Sequence, residues 1–172
     1  SGMTPEIMAI VMLLAGPNND PVKTFEDKII WVKGMKGSER RLAFIRGDLN
    51  ATRENPAAYK KHVMPVIKKG DAYTWFHHGL LNVKTGEHDA DPNFTEPTFE
   101  ALFEKMHGVA PSGDFYDAYK LVKSWRDALQ KAFWVNKGNP NKAKLVAALN
   151  KMIKDPESVA AIEKKVGKYE WR

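Results

Sequence analysis

Three short runs of β-branched and aromatic residues, set between stretches of helical periodicity and followed only by helical ones, constrain this chain more than any other feature. Residues 28–33 read Lys-Ile-Ile-Trp-Val-Lys and end at Gly34. An apolar run of that length is short for a helix and fits a buried strand. Residues 48–52 give a second strand candidate, and residues 72–76 (Ala-Tyr-Thr-Trp-Phe) a third. Between them, Leu42 and Ile45 share one face of a helix that stops at Gly47. A further helix opens at Asn55-Pro56 and runs through Tyr59, Val63, Val66 and Ile67, with Pro65 predicting a kink or break. The order predicts a small α/β sheet followed by helices. Three short strands leave open edges, so the chain reads as an incomplete body whose edges invite a homodimer.

The helical segments carry their own start and stop signals. Thr4, Pro5 and Glu6 supply an N-cap, a first-turn proline and a first-turn acid ahead of an almost wholly apolar stretch that Gly16-Pro17 terminates. Residues 80–97 read as a long polar loop. Residues 98–107 predict a helix with Phe99, Leu102, Phe103 and Met106 as its core stripe. Residues 115–135 predict another, with Leu121, Val122, Trp125, Leu129, Ala132 and Phe133 at helical spacing, and two more run over 140–153 and from Asp155-Pro156 to Val166. Ser1-Gly2-Met3 reads as an expression scar. The apolar stretch at 7–15 is too short to span a bilayer.

Charge narrows the function less than it narrows the class. Lys and Arg number 27 against 21 Asp and Glu, a net charge of +6. The basic residues are interleaved with acidic ones over 33–46 and 142–168 rather than gathered into a nucleic-acid-binding arm. With no cysteine, disulfide scaffolds, thiol nucleophiles and cysteine-based metal centres are excluded.

The segment Gly34-Met35-Lys36-Gly37-Ser38-Glu39, between a strand candidate and a helix, is the most informative for chemistry. Its glycines allow a sharp turn, and the free N–H groups of the next helical turn can receive a carboxylate or phosphate, with Lys36 and Ser38 adding a charge and a hydroxyl. An equally good reading makes it a plain helix cap. Arg53 and Glu54 fall at a strand end, where arginine can grip a carboxylate or join a surface ion pair. Trp75, Phe76, His77 and His78 occupy the next strand end; the His pair lacks the spacing of a zinc motif, even with Asp89 and Asp91 nearby. No serine has a nucleophile-elbow context, so the expectation is a protein without catalytic residues, metal or cofactor.

In their order, Val32 to Glu39, Leu42 to Asn50, Ile67-Lys68-Lys69-Gly70, Glu96-Pro97-Thr98-Phe99-Glu100-Ala101-Leu102, and Leu145 to Ile153 with Lys154-Asp155-Pro156-Glu157 resemble the extracytoplasmic receptors of tripartite tricarboxylate transporters. The resemblance implies a partial type II periplasmic-binding-protein-like α/β fold. Residues 4–110 would be the second lobe and residues 111–172 C-terminal helices packing on it or on an absent first lobe. It further implies a periplasmic location, a small organic carboxylate as ligand, a membrane permease as partner, and no nucleic acid. Gly34, Met35, Lys36, Gly37, Ser38 and Glu39 would hold the ligand, with Arg53 and Trp75 at the rim. The long loop at 80–95 departs from the family pattern. The rivals are a basic interaction or nucleic-acid-binding module and a small hydrolase with an Asp/His site assembled in space.

Overall fold

The computed structural model describes residues 3–82, 84–129 and 134–166. Helices dominate it. α1 (Pro5–Ala15) is capped at its end by Gly16, whose φ of 67° suits glycine and whose N–H donates to the Met12 carbonyl at 2.8 Å. α2 (Pro21–Lys28) starts at Asp20, whose carboxylate accepts the Val22 N–H at 2.7 Å. α3 (Gly37–Ile45) follows, then α4 (Pro56–Ala58), a π-helical turn (Tyr59–Val63) and α5 (Met64–Lys68). Pro65 cannot donate to the carbonyl four residues back. The helix meets that loss by widening, with the Met64 N–H reaching back to Tyr59 instead of breaking.

Among the described residues the sheet is a hairpin of β1 (Leu80–Leu81) and β2 (His88–Asp89), paired antiparallel with Leu80 opposite Asp89 and Leu81 opposite His88. A parallel bridge joins His77 to Thr98 beside it. Then come α6 (Phe99–His107), α7 (Asp114–Leu129), α8 (Lys142–Met152) and α9 (Pro156–Val166).

These elements overturn the α/β, periplasmic-binding-protein-like fold that the sequence suggested. Residues 28–33, 48–52 and 72–76 form no strand. A β-branched run becomes a strand only where another edge accepts its backbone hydrogen bonds, and none lies alongside. Ile30, expected in a buried strand, is 95% exposed, and Trp31 and Val32 are exposed too. Residues 52–54 are held by helix side chains instead. Arg40 of α3 donates to the Thr52 hydroxyl at 3.0 Å and to the Arg53 carbonyl at 2.8 Å, and Arg41 pairs with Glu54 at 3.0 Å. The two-residue hairpin cannot form the floor of a two-lobed cleft.

The core sits where α1, α6 and α7 meet. Met8, Ala9, Met12 and Leu13 of α1 pack on Phe99 and Phe103 of α6 and on Tyr119 of α7, with Trp75 and Phe76 against the edge. Three helices burying one aromatic-rich seam is a small core for 172 residues. His107, at the end of α6, donates its Nε2 hydrogen to the Leu13 carbonyl at 3.0 Å and so closes the C-terminus of α1.

Candidate functional site

The turn expected to bind an acid is an exposed helix start. The Lys36 N–H, the first donor of α3, already gives its hydrogen to the Glu39 carboxylate at 2.9 Å, so the helix caps itself and turns a negative group outward over its own N-terminus. Gly34, Met35, Lys36, Ser38 and Glu39 are exposed and Gly37 is half-buried. The Arg53 carbonyl lies against α3, 2.8 Å from Arg40, but its guanidinium sits 3.4 Å from Glu6 of α1, and Trp75 packs beside Phe76 with ring centres 6.1 Å apart. The Arg53 guanidinium and the Trp75 ring are thus engaged with partners outside the turn.

Ionisable groups do converge on the inner face of α7, which sequence spacing had assigned to apolar residues. Glu6 of α1 pairs with Arg126 and, at 3.4 Å, with Arg53. Burial pushes the Glu6 carboxyl up, but the two guanidiniums outweigh it and hold the group below its ordinary value. His78 Nδ1 lies 2.9 Å from the Tyr119 hydroxyl. Burial first, then the nearby Lys123 and Arg126 charges, push the His78 imidazole down to about 4, with Glu6 and Asp127 opposing. Burial also raises the Tyr119 phenol, so both partners are neutral at pH 7. Lys123 is completely buried and pairs with Asp127 at 3.2 Å, and Asp127 in turn lies 3.3 Å from His88 of β2.

The hairpin places His88 through a glycine that no other residue can replace cheaply. Gly79 has a φ of 71°, and a Cβ there would stand 2.3 Å from the Asp89 carbonyl oxygen. Just before it, His77 accepts the Gly79 N–H on Nδ1 at 3.0 Å and stacks on Phe94, while Asp91 accepts from Asn93 at 2.8 Å. These groups serve the hairpin. Among the described residues no group of three or more His, Asp and Glu could hold a metal ion.

The space beside this network is small. A cleft of about 80 Å³ lined by Glu87, His88, Thr98, Glu100, Tyr116 and Lys120 adjoins the network. Burial raises the Glu100 carboxyl, and burial together with Glu100, Glu87 and Asp117 pushes the Tyr116 phenol up to about 12. The volume suits two or three waters, well short of the ~300 Å³ at which metabolite pockets begin. Raised pKa values in so small a space follow from packing.

The opposite side of α7 has the reverse character. Tyr119 and Lys123 are wholly buried, whereas Leu121 is 72% and Trp125 66% exposed. On a helix these two are one turn apart, and with exposed Ala118 they form an apolar outer stripe. An exposed leucine alone says little; a tryptophan in water on the same helix as a lysine in the core says more.

Comparison with protein families, with curated proteins and with solved structures finds no match to this chain. The resemblance to tricarboxylate-transporter receptors is therefore corrected on two grounds: the fold is helical, and nothing in sequence or structure joins the chain to that family. The functional terms that came with it, periplasmic solute binding and carboxylate transport, fall with it.

Proposed function

We propose that this chain is a non-catalytic protein-interaction module whose working surface is the outer face of α7. The observation that carries the reading is the inversion of that helix, with Lys123 and Tyr119 inward and Leu121 and Trp125 outward. Burying a leucine-sized side chain gains about 1.5–3 kcal/mol, and tryptophan is enriched among the residues that anchor binding interfaces. A chain that places polar groups inside and leaves those two in water gains that energy when a second protein covers them. The self-capped turn at Lys36 and the 80 Å³ cleft support the non-catalytic half of the reading.

A thiol placed on the stripe tests this. Leu121→Cys gives a cysteine-free chain one reporter, and Ser112→Cys gives an exposed control. In extract or as concentrated pure protein, the Leu121→Cys thiol should react with a maleimide at least tenfold more slowly than the control. Equal rates under both conditions would remove the basis for an interface on α7.

A further inference from the structure

We infer that residues 134–154, the exposed segment leading into α8 together with α8 itself, form a site for an anionic lipid surface, which the segment lies on and does not cross. From Trp134 to Lys154 the chain carries Lys137, Lys142, Lys144, Lys151 and Lys154 and no acid. All five lysines are exposed, and among the described residues none of them makes an ion pair. Asp155, the first acid beyond them, is taken up as the cap of α9, accepting the Ser158 N–H at 2.8 Å. A run of one sign with no acid of its own to meet favours an anionic partner.

Apolar side chains narrow that partner to lipid. Trp134 is 78% exposed, and exposed Val135, Leu145 and Val146 stand among the lysines in the chain. Along α8, Leu145, Leu149 and Met152 recur at intervals of three and four. Val146 and Ile153 share their face, and Lys144 and Lys151 fall on the opposite one. A nucleic acid would neutralise the lysines and leave Leu145 and Val146 in water. A lipid surface takes both, with phosphates meeting the ammonium groups and the acyl boundary meeting the apolar face and the indole. α8 has 11 residues, and no described helix is long and apolar enough to cross a bilayer, so the helix lies in the interface.

Other exposed apolar residues lack one part of this combination. Leu42 and Ile45 of α3 stand among Glu39 and Asp48, and Leu121 and Trp125 of α7 among Asp117 and Asp127. Lys60, Lys61, Lys68 and Lys69 accompany Val66 and Ile67, which are half-buried. Ile30, Trp31, Val32 and Met35 do stand between Lys28 and Lys36, but the backbone of residues 30–35 makes no hydrogen bond among the described residues. Unpaired peptide groups are costly against hydrocarbon, whereas α8 pairs its own within the helix.

The test sediments the full-length protein with vesicles of phosphatidylcholine alone and of phosphatidylcholine with about 30% phosphatidylserine. Binding should be at least about tenfold stronger to the anionic vesicles and should weaken as salt rises. Lys142→Gln/Lys144→Gln should weaken it about thirtyfold, at about fivefold per lysine. Leu145→Ser/Val146→Ser, with unchanged far-UV circular dichroism, should weaken it at least about tenfold. Equal binding to both vesicles, or binding to neither, overturns the lipid site. So does lysine-dependent binding that Leu145→Ser/Val146→Ser leaves intact, because it describes a surface for any polyanion, nucleic acid included. None of these substitutions lies in α7, so either result leaves the α7 interface standing.

Discussion

Acidification should destabilise this protein through His78 in a way that one substitution isolates. In the folded chain the His78 imidazole is held down to about 4, against an ordinary value of 6.5. As pH falls, the unfolded chain therefore takes up the proton first, so stability is intact at pH 7 and drains away between 6.5 and 4. At pH 4.5 the loss assigned to this group is about 2 kcal/mol, approaching about 3 kcal/mol in stronger acid. His78→Asn keeps a polar atom near Nδ1 for the Tyr119 hydroxyl but cannot titrate. Urea unfolding of both proteins at pH 7.0 and 4.5, followed by far-UV circular dichroism, gives the two losses. The wild type should lose about 2 kcal/mol more than the variant. Losses that agree within about 0.5 kcal/mol would refute the claim that a buried neutral histidine lies between α1 and α7.

Other substitutions probe the same architecture. Glu6→Gln removes the partner of Arg126 and Arg53 and should cost about 3 kcal/mol at neutral pH by urea unfolding. The deficit should shrink as pH falls through the depressed Glu6 pKa, because the wild-type carboxylate then loses its charge as well. Gly79→Ala forces a Cβ against the Asp89 carbonyl and should cost at least about 2 kcal/mol in thermal unfolding. Gly86→Ala, at a similar φ of 76° with open space around it, should cost only the backbone term of about 1 kcal/mol.

The helices were largely legible and the sheet was not. Thr4-Pro5-Glu6 and Gly16 mark the limits of α1 within a residue, Thr98 accepts the Ala101 N–H as the N-cap of α6, and Asp155-Pro156 opens α9 as predicted. Such signals are local, each a bond between residues a few positions apart. The Asp20-Pro21 start of α2 carries the same signature as Thr4-Pro5 and could have been found by it. Strands depend on a distant edge, and residues 28–33, 48–52 and 72–76 had the composition of strands without that edge.

The candidate site failed for a related reason. Hydropathy put Leu121 and Trp125 inside α7 because it weighs each side chain alone. Arg126 and Tyr119 went inside because Glu6, 120 positions from Arg126, and His78, 41 positions from Tyr119, supply polar partners there, and Lys123 pairs with Asp127 one turn along α7. Phe99 and Phe103 of the expected α6 stripe are buried while Met106 is exposed, which shows how narrow the shared seam is. The predicted helical positions Ala132 and Phe133 lie outside the described residues, and Trp134 and Val135 follow α7 as exposed coil.

The labelling rate of a thiol at position 121 is the most direct test of α7 as a working surface. Covered by a partner in extract or by another copy in concentrated solution, the Leu121→Cys thiol should react at least tenfold more slowly than the exposed Ser112→Cys control. Equal rates under both conditions would contradict the account.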